Sequence, residues 1–222
     1  MPATNLASDF GVTGLIYMPT ARVADDGSLE ATIRRADVAD IYNVSYQATP
    51  WLEAAFRYSI FNPRNFSDSV DILRDRSYEA KAQLVSERYW IPSVAIGVRD
   101  VLGSGVWEGE YIVGSKKFDR IDFSLGLGWG RLASRNPIKN PLSSLDGAFD
   151  ERPDRKKLGG KYGGESRGKS YFRGATAFFG GARYRPGRWP LEILVEYNSD
   201  DYAREVGLNT IKTPSPLNFA VE

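Results

Sequence analysis

Hydrophobic and polar residues alternate one by one along most of this chain. In Trp51–Ile60, WLEAAFRYSI, residues Leu52, Ala54, Phe56, Tyr58 and Ile60 share one face, and Glu53, Arg57 and Ser59 the other. In Ile121–Gly130, IDFSLGLGWG, residues Ile121, Phe123, Leu125, Leu127 and Trp129 alternate with Asp122, Ser124 and glycines. The same period runs through Tyr42–Gln47, Tyr78–Leu84, Val94–Arg99, Trp107–Ser115, Phe172–Tyr184 and Leu191–Asn198. A period of two over such lengths predicts β-strands with one apolar and one polar face. Leu29–Arg34 and Leu217–Glu222 bring the count to about ten. No segment reads as an amphipathic helix, and Ser69–Ser77 is expected to form a short turn.

The connections alternate in length. Ala48–Pro50, Ser86–Pro92, Lys117–Arg120 and Pro186–Pro190 are short, whereas Phe61–Ser77, Asp100–Val106, Arg131–Ser170 and Ser199–Pro216 are long. In an up-and-down sheet, alternate loops leave opposite ends, so one end carries tight turns and the other long loops. That asymmetry belongs to outer-membrane barrels. The expected fold is all-β: an antiparallel up-and-down meander of outer-membrane β-barrel type, incomplete at about ten strands. Residues 1–222 are read as one partial barrel domain, with 1–27 as an N-terminal lead-in and 131–170 as a long external loop.

Trp51, Trp90 and Trp189 fall at the short-turn end; Trp107, Trp129 and Tyr171 fall toward the other. These six are the expected membrane-interface aromatics. The polar faces would line a lumen, with Glu53, Arg57, Arg99, Glu110, Arg173, Arg183 and Glu196 as its candidate lining residues. The alternative that also fits the alternation is a soluble periplasmic β-sandwich binding carbohydrate through exposed aromatics such as Trp107, Trp129 or Tyr171.

Composition removes several chemistries. Charge is balanced, 29 basic against 28 acidic residues, so nothing points to nucleic acid. His and Cys are absent, which excludes most zinc sites, Cys–His nucleophiles, Ser-His-Asp triads and disulfides. No run of 18 apolar residues marks a transmembrane helix, and the first residues lack the pattern of a signal peptide. GGESRGKS, Gly163–Ser170, spells a phosphate-binding loop, but a working one needs a buried strand before it and a helix after it. The flanks here are polar and glycine-rich on one side and alternating on the other, so no nucleotide is expected. GLGWG, Gly126–Gly130, lies inside a strand, where glycine marks a bend or a close approach rather than a dinucleotide turn. Glu108 and Glu110 sit about 7 Å apart on one face, a spacing that paired-carboxylate chemistry uses but that any polar sheet face also produces. Asn65-Phe66-Ser67 is a glycosylation sequon by letters alone. No catalytic residue, metal ligand or cofactor is assigned.

Seven blocks resemble a known family in order: TGLIYMPTA (Thr13–Ala21), PWLEAAFRY (Pro50–Tyr58), PSVAIGVRDVLGSG (Pro92–Gly105), EYIVGSKKF (Glu110–Phe118), DFSLGLGWGRL (Asp122–Leu132), YFRGATAFFGG (Tyr171–Gly181) and VEYNSDDY (Val195–Tyr202). They look like the YjbH-like (YbjH or GfcD-like) exopolysaccharide biosynthesis proteins. The resemblance implies an outer-membrane β-barrel, often a lipoprotein, that makes or exports a capsule-like polymer without catalysing a reaction. Its implied partners are the polysaccharide, outer-membrane lipid and envelope export proteins. Members are longer and start with an export signal, so this sequence is expected to be an N-terminal portion.

Overall fold

A computed structural model describes residues 7–35, 39–61, 74–153, 168–187, 191–202 and 215–222. Ten strands follow one another: β1 (Leu29–Arg35), β2 (Ala39–Thr49), β3 (Leu52–Phe61), β4 (Arg74–Val85), β5 (Ser93–Arg99), β6 (Gly109–Phe118), β7 (Ile121–Trp129), β8 (Thr176–Tyr184), β9 (Ile193–Tyr197) and β10 (Leu217–Val221). Each pairs antiparallel with the next, so sheet order equals chain order. The all-β meander is therefore as the alternation predicts. Among the described residues β1 and β10 do not pair with each other, and the sheet is open along that seam.

Several strand ends shift by a few residues from those expected, β6 for example starting at Gly109 rather than Trp107, and two further shifts move larger stretches. Arg74–Ser77, expected in a turn, already belongs to β4, and the preceding residues of that turn lie outside the described ones. β8 starts at Thr176 rather than Phe172, because Phe172 (φ 58°) and Gly174 (φ 77°) take left-handed conformations that no strand contains. Arg173 therefore sits in the preceding loop, not on an inward strand position.

The sheet curls tightly. Tyr17 donates its backbone N–H to Glu196 on β9, and its hydroxyl accepts from Arg34 on β1. β1 and β9 are eight places apart in the sheet, roughly 38 Å if it were flat. One tyrosine spans them only because the strands wrap around it.

The inward residues are buried around residues 7–22, the greater part of the expected lead-in. This segment is a double hairpin inside the curl, with bridges between Ala7 and Thr13 and between Gly14 and Pro19. Its tips, Phe10 and Tyr17, meet edge to face at 6.5 Å. Phe10 also packs on Trp107, which stacks on Phe61. Met18 and Ala21 join Ala95, Tyr111, Val113, Leu132 and Phe179 in a second apolar cluster.

Inward glycines make room for rings. A Cβ on Gly126 would lie 2.3 Å from the Phe179 ring, and one on Gly97 would lie 2.2 Å from that of Tyr111. Each pair faces across neighbouring strands. The glycines of GLGWG are thus explained by close approach. Gly126→Val should overpack the core and destabilise the fold by about 1–3 kcal/mol. A lowered urea midpoint with an unchanged slope would show it; an unchanged midpoint would refute the packing argument.

Candidate functional site

The inward face carries charges; six of those described below bond to the main chain of the double hairpin, and Glu79 bonds to side chains that do so. Glu53 on β3 accepts from the backbone N–H and the hydroxyl of Thr13, at 2.7 and 3.0 Å. Lys81 on β4 pairs with Glu53 at 2.6 Å and donates to the carbonyls of Thr13 and Arg22, at 2.9 and 2.7 Å. Two hydrogen bonds and one ion pair thus surround the ammonium. Arg57 donates to the Phe10 carbonyl and Arg99 to that of Tyr17, so each hairpin tip has its own guanidinium. Glu79 accepts from both arginines and from the Tyr111 hydroxyl, which locks their orientation. Both guanidiniums also lie over the Phe10 ring, at 4.3 and 4.2 Å.

The far wall completes the set. One oxygen of Glu196 on β9 accepts the consecutive N–H groups of Ile16, Tyr17 and Met18, at 3.0, 2.9 and 2.8 Å. Three successive amides around one oxygen form an anion nest. Arg183 on β8 donates to the Gly14 carbonyl at 2.6 Å and pairs with Glu192 at 3.2 Å. Gly14 has no room for a side chain: its Cβ would sit 2.6 Å from the Met18 carbonyl oxygen and 2.8 Å from Ser8.

Of the seven expected lumen residues, Glu53, Arg57, Arg99, Arg183 and Glu196 therefore converge on one segment, buried and facing peptide groups rather than a channel. Glu110 does not join them. Its neighbour Tyr111 points inward to Glu79, so Glu110 projects to the opposite face. There it lies under the long loop, where Arg152 binds it at 2.7 and 2.9 Å and the Phe172 N–H donates to it. The same Arg152 holds Glu108 at 2.8 Å, and Ser170 donates to that carboxylate as well. These bonds hold Arg152 protonated beyond the usual arginine range, against the opposing effect of its burial. The Glu108–Glu110 pair is a clamp for the loop that follows β7.

The aromatics divide too. Trp51 and Trp90 are exposed at the short-turn end, at 53 and 82 %. Trp107 and Trp129, expected on the outside at the other end, are buried. Trp107 is turned inward onto Phe10 and Phe61, and Trp129 lies against Phe172 of the long loop. Tyr171 is half-buried, and Trp189 lies outside the described residues. Gly168–Ser170, the end of the phosphate-loop spelling, is a single three-residue turn leading into Tyr171, with no α-helix after it. Gly163–Arg167 and the Asn65 sequon are outside the described residues. Two described pockets open at the long-loop end. One, of about 730 Å³, is lined by Gly147–Ala148, Asp150–Pro153 and Arg173. The other, of about 280 Å³, lies between Glu108, Arg131, Arg152 and Asp200. Among the described residues no acidic cluster is arranged to hold a metal.

At the short-turn end Arg22 fastens the segment where it leaves the curl. It pairs with Asp122 at 2.7 Å and with Glu87 at 2.5 Å, and Lys116 reaches the same Glu87 at 2.9 Å. Partial burial disfavours the Glu87 anion, but the hydrogen bonds from Lys116 and Arg22 outweigh it and hold its pKa below the ordinary 4.5. A depressed folded-state pKa means that the clamp's contribution is complete above the unfolded value and is lost as pH falls through the lower folded one. Carboxyl ¹³C titration of Glu87 should accordingly give a midpoint below 4.5; a midpoint at or above that value would contradict the clamp. Lys81→Met should cost about 3–5 kcal/mol by stranding Glu53 as a buried unpaired charge. Adding Glu53→Gln should recover part of that loss in a double-mutant cycle of urea denaturation.

Comparison with known proteins bears on the whole chain. Residues 6–222 match the family described as exopolysaccharide biosynthesis protein YbjH (YjbH). A relative in Escherichia coli (strain K12), named uncharacterized lipoprotein YjbH, is 37 % identical over 204 residues. The alignment covers 89 % of this chain and 28 % of that relative, so the chain spans less than a third of the relative's length. No solved structure matches. A family match over nearly every residue, carried by a curled meander whose charged interior grips its own N-terminal segment, makes this chain a member of the YjbH exopolysaccharide biosynthesis family.

Proposed function

We propose that the chain forms the wall of an outer-membrane β-barrel and takes part, without catalysing a reaction, in the production or export of an exopolysaccharide. The observation that supports the membrane reading is the outer face of the sheet. Leu29, Ile33, Leu84, Leu125, Phe219 and Val221 project outward and are each more than 60 % exposed. Val44, Tyr46, Ile112, Phe123, Phe178 and Val195 continue the surface between them. Charged residues of outward parity stand near strand ends: Arg35, Asp40, Arg74, Arg76 and Glu110 toward the long loops, Lys116 toward the short turns.

A contiguous apolar girdle of this extent is costly in water and costs nothing against acyl chains. The exposed Trp51, Tyr89, Trp90 and Phe118 at the short-turn end fit an interfacial position. Both ends of the hairpin segment leave on that side, through Ala7 beside Glu30 and Arg22 beside Asp122. The relative's name as a lipoprotein agrees with an envelope location, and the family description with a polysaccharide pathway. In lipid the edges β1 and β10 require partners, either each other or further strands of a longer protein. A non-catalytic role accords with the Glu108–Glu110 pair, whose oxygens are engaged by Arg152, Ser170 and the Phe172 N–H.

Far-UV circular dichroism of the purified chain, refolded in buffer and in detergent micelles, tests this reading. A strong β signal in micelles alone is expected. A cooperative β fold in plain buffer would overturn the membrane assignment and favour the soluble carbohydrate-binding sandwich.

A further inference from the structure

We propose that residues 7–22 act as a plug: a separable peptide ligand, bound through its main chain, that seals the interior against water and solutes. The inward face is built as a receptor for peptide groups. Glu53, Arg57, Lys81, Arg99, Arg183 and Glu196, drawn from β3, β4, β5, β8 and β9, each bond to a backbone N–H or carbonyl of the segment. The segment's side chains add to that recognition: the Thr13 hydroxyl donates to Glu53, Asp9 pairs with Arg34, and the Phe10 ring lies beneath Arg57 and Arg99. Leu15, Ile16 and Met18 carry no polar group, and the Tyr17 and Arg22 side chains bond only near the two ends of the curl. Charged hydrogen bonds to the main chain are stronger than neutral ones and add to the apolar packing of Phe10, Met18 and Ala21.

The inward side chains of β1 and β10 are part-buried, and the seal is tight on the strands between them. Ser59, Lys81, Ser93 and Glu196, spread over four strands of the inward face, are all 0 % exposed. A hydrated lumen would leave such side chains in contact with water. Wherever polymer meets this protein, it does not pass through the interior while the segment is bound. This consequence rests on the barrel reading; the water-exclusion test below does not.

The chain has no cysteine, so single thiols report cleanly. Ser59 is buried and its hydroxyl has no hydrogen-bond partner among the described residues, which makes Ser59→Cys a nearly isosteric probe; Ser86→Cys, in an exposed turn, is the reference. The full chain, folded in whichever solvent supports its β signal, is treated with sulfonatoethyl methanethiosulfonate. S59C should react at least about 100-fold more slowly than S86C, as expected for a group reached only through local opening. Gly14→Val, which collides with the Met18 carbonyl, and Glu196→Gln, which removes the charge from the amide nest, should each accelerate S59C labelling about tenfold or more while circular dichroism is retained.

Labelling of S59C as fast as S86C would show a water-filled interior and overturn the proposal. Slow labelling unchanged by both variants would also overturn it, since the segment would not be what excludes water. Loss of the sheet in both variants would make the segment inseparable core rather than plug, and the proposal would fall in that case too. These outcomes are independent of whether the fold requires detergent, so failure of the plug and failure of the membrane assignment are read separately.

Discussion

The structure depends on one constraint: charges that the alternation turns inward must find partners in a space too small for bulk water. An unpaired buried charge is among the most destabilising features a fold can carry. Here the partners are peptide groups. Every residue of a double hairpin offers a donor, an acceptor or both, so one short segment, residues 7–22, can neutralise a wall of mixed sign without matching it charge for charge. Cross-strand pairs such as Lys81 with Glu53, and Glu79 with Arg57 and Arg99, then fix which head group meets which backbone atom.

Curvature follows from the same arrangement. The segment makes contact with β1 through Arg34 and with β9 through Glu196, and a sheet that satisfied only one of them would strand the other. Bending ten strands to that radius brings inward side chains into collision. Glycine at 97 and 126 relieves it, and the rings of Tyr111 and Phe179 fill the space. The apolar clusters and the ionic network are therefore one system, since Phe10 is both a core residue and the ring beneath two guanidiniums.

Much of this is legible in the sequence, and what is not has a physical reason. A period of two reports parity wherever one face is apolar and the other charged, so the inward set on β3, β4 and β5 can be read from letters. It fails on β6, where Tyr111 and Val113 on one face and Ile112 on the other are all apolar. Charge is then the remaining guide, and it assigns Glu108 and Glu110 to the side that a lumen would need. Their true partner, Arg152, lies more than forty residues away in a loop with no periodicity. Trp129 misleads for a similar reason: position along a strand predicts height, but a loop that folds back decides exposure, whereas Trp107 precedes β6 and turns inward onto Phe10. The hairpin segment is least visible. Its function resides in main-chain atoms, which every sequence has, so SDFGVTGLIYMPTAR gives no sign of being bound.

An outer face that avoids charge between its ends and an inner face filled by peptide leave few surfaces on which a hydrated polymer could act. Sugar hydroxyls gain little from Leu125 or Phe178, and Lys81 and Glu196 are already satisfied. The long-loop end is different in kind. There Arg152, Glu108 and Asp200 border an open polar cleft, and Arg131 stacks on Trp107, whose ring in turn rests on the Phe10 tip of the hairpin segment. That chain of contact runs from the long-loop rim to the interior without a gap. A ligand drawing Arg131 away from Trp107 would remove one wall of the pocket that holds Phe10, so rim and plug are mechanically adjacent even though they lie at different levels of the fold.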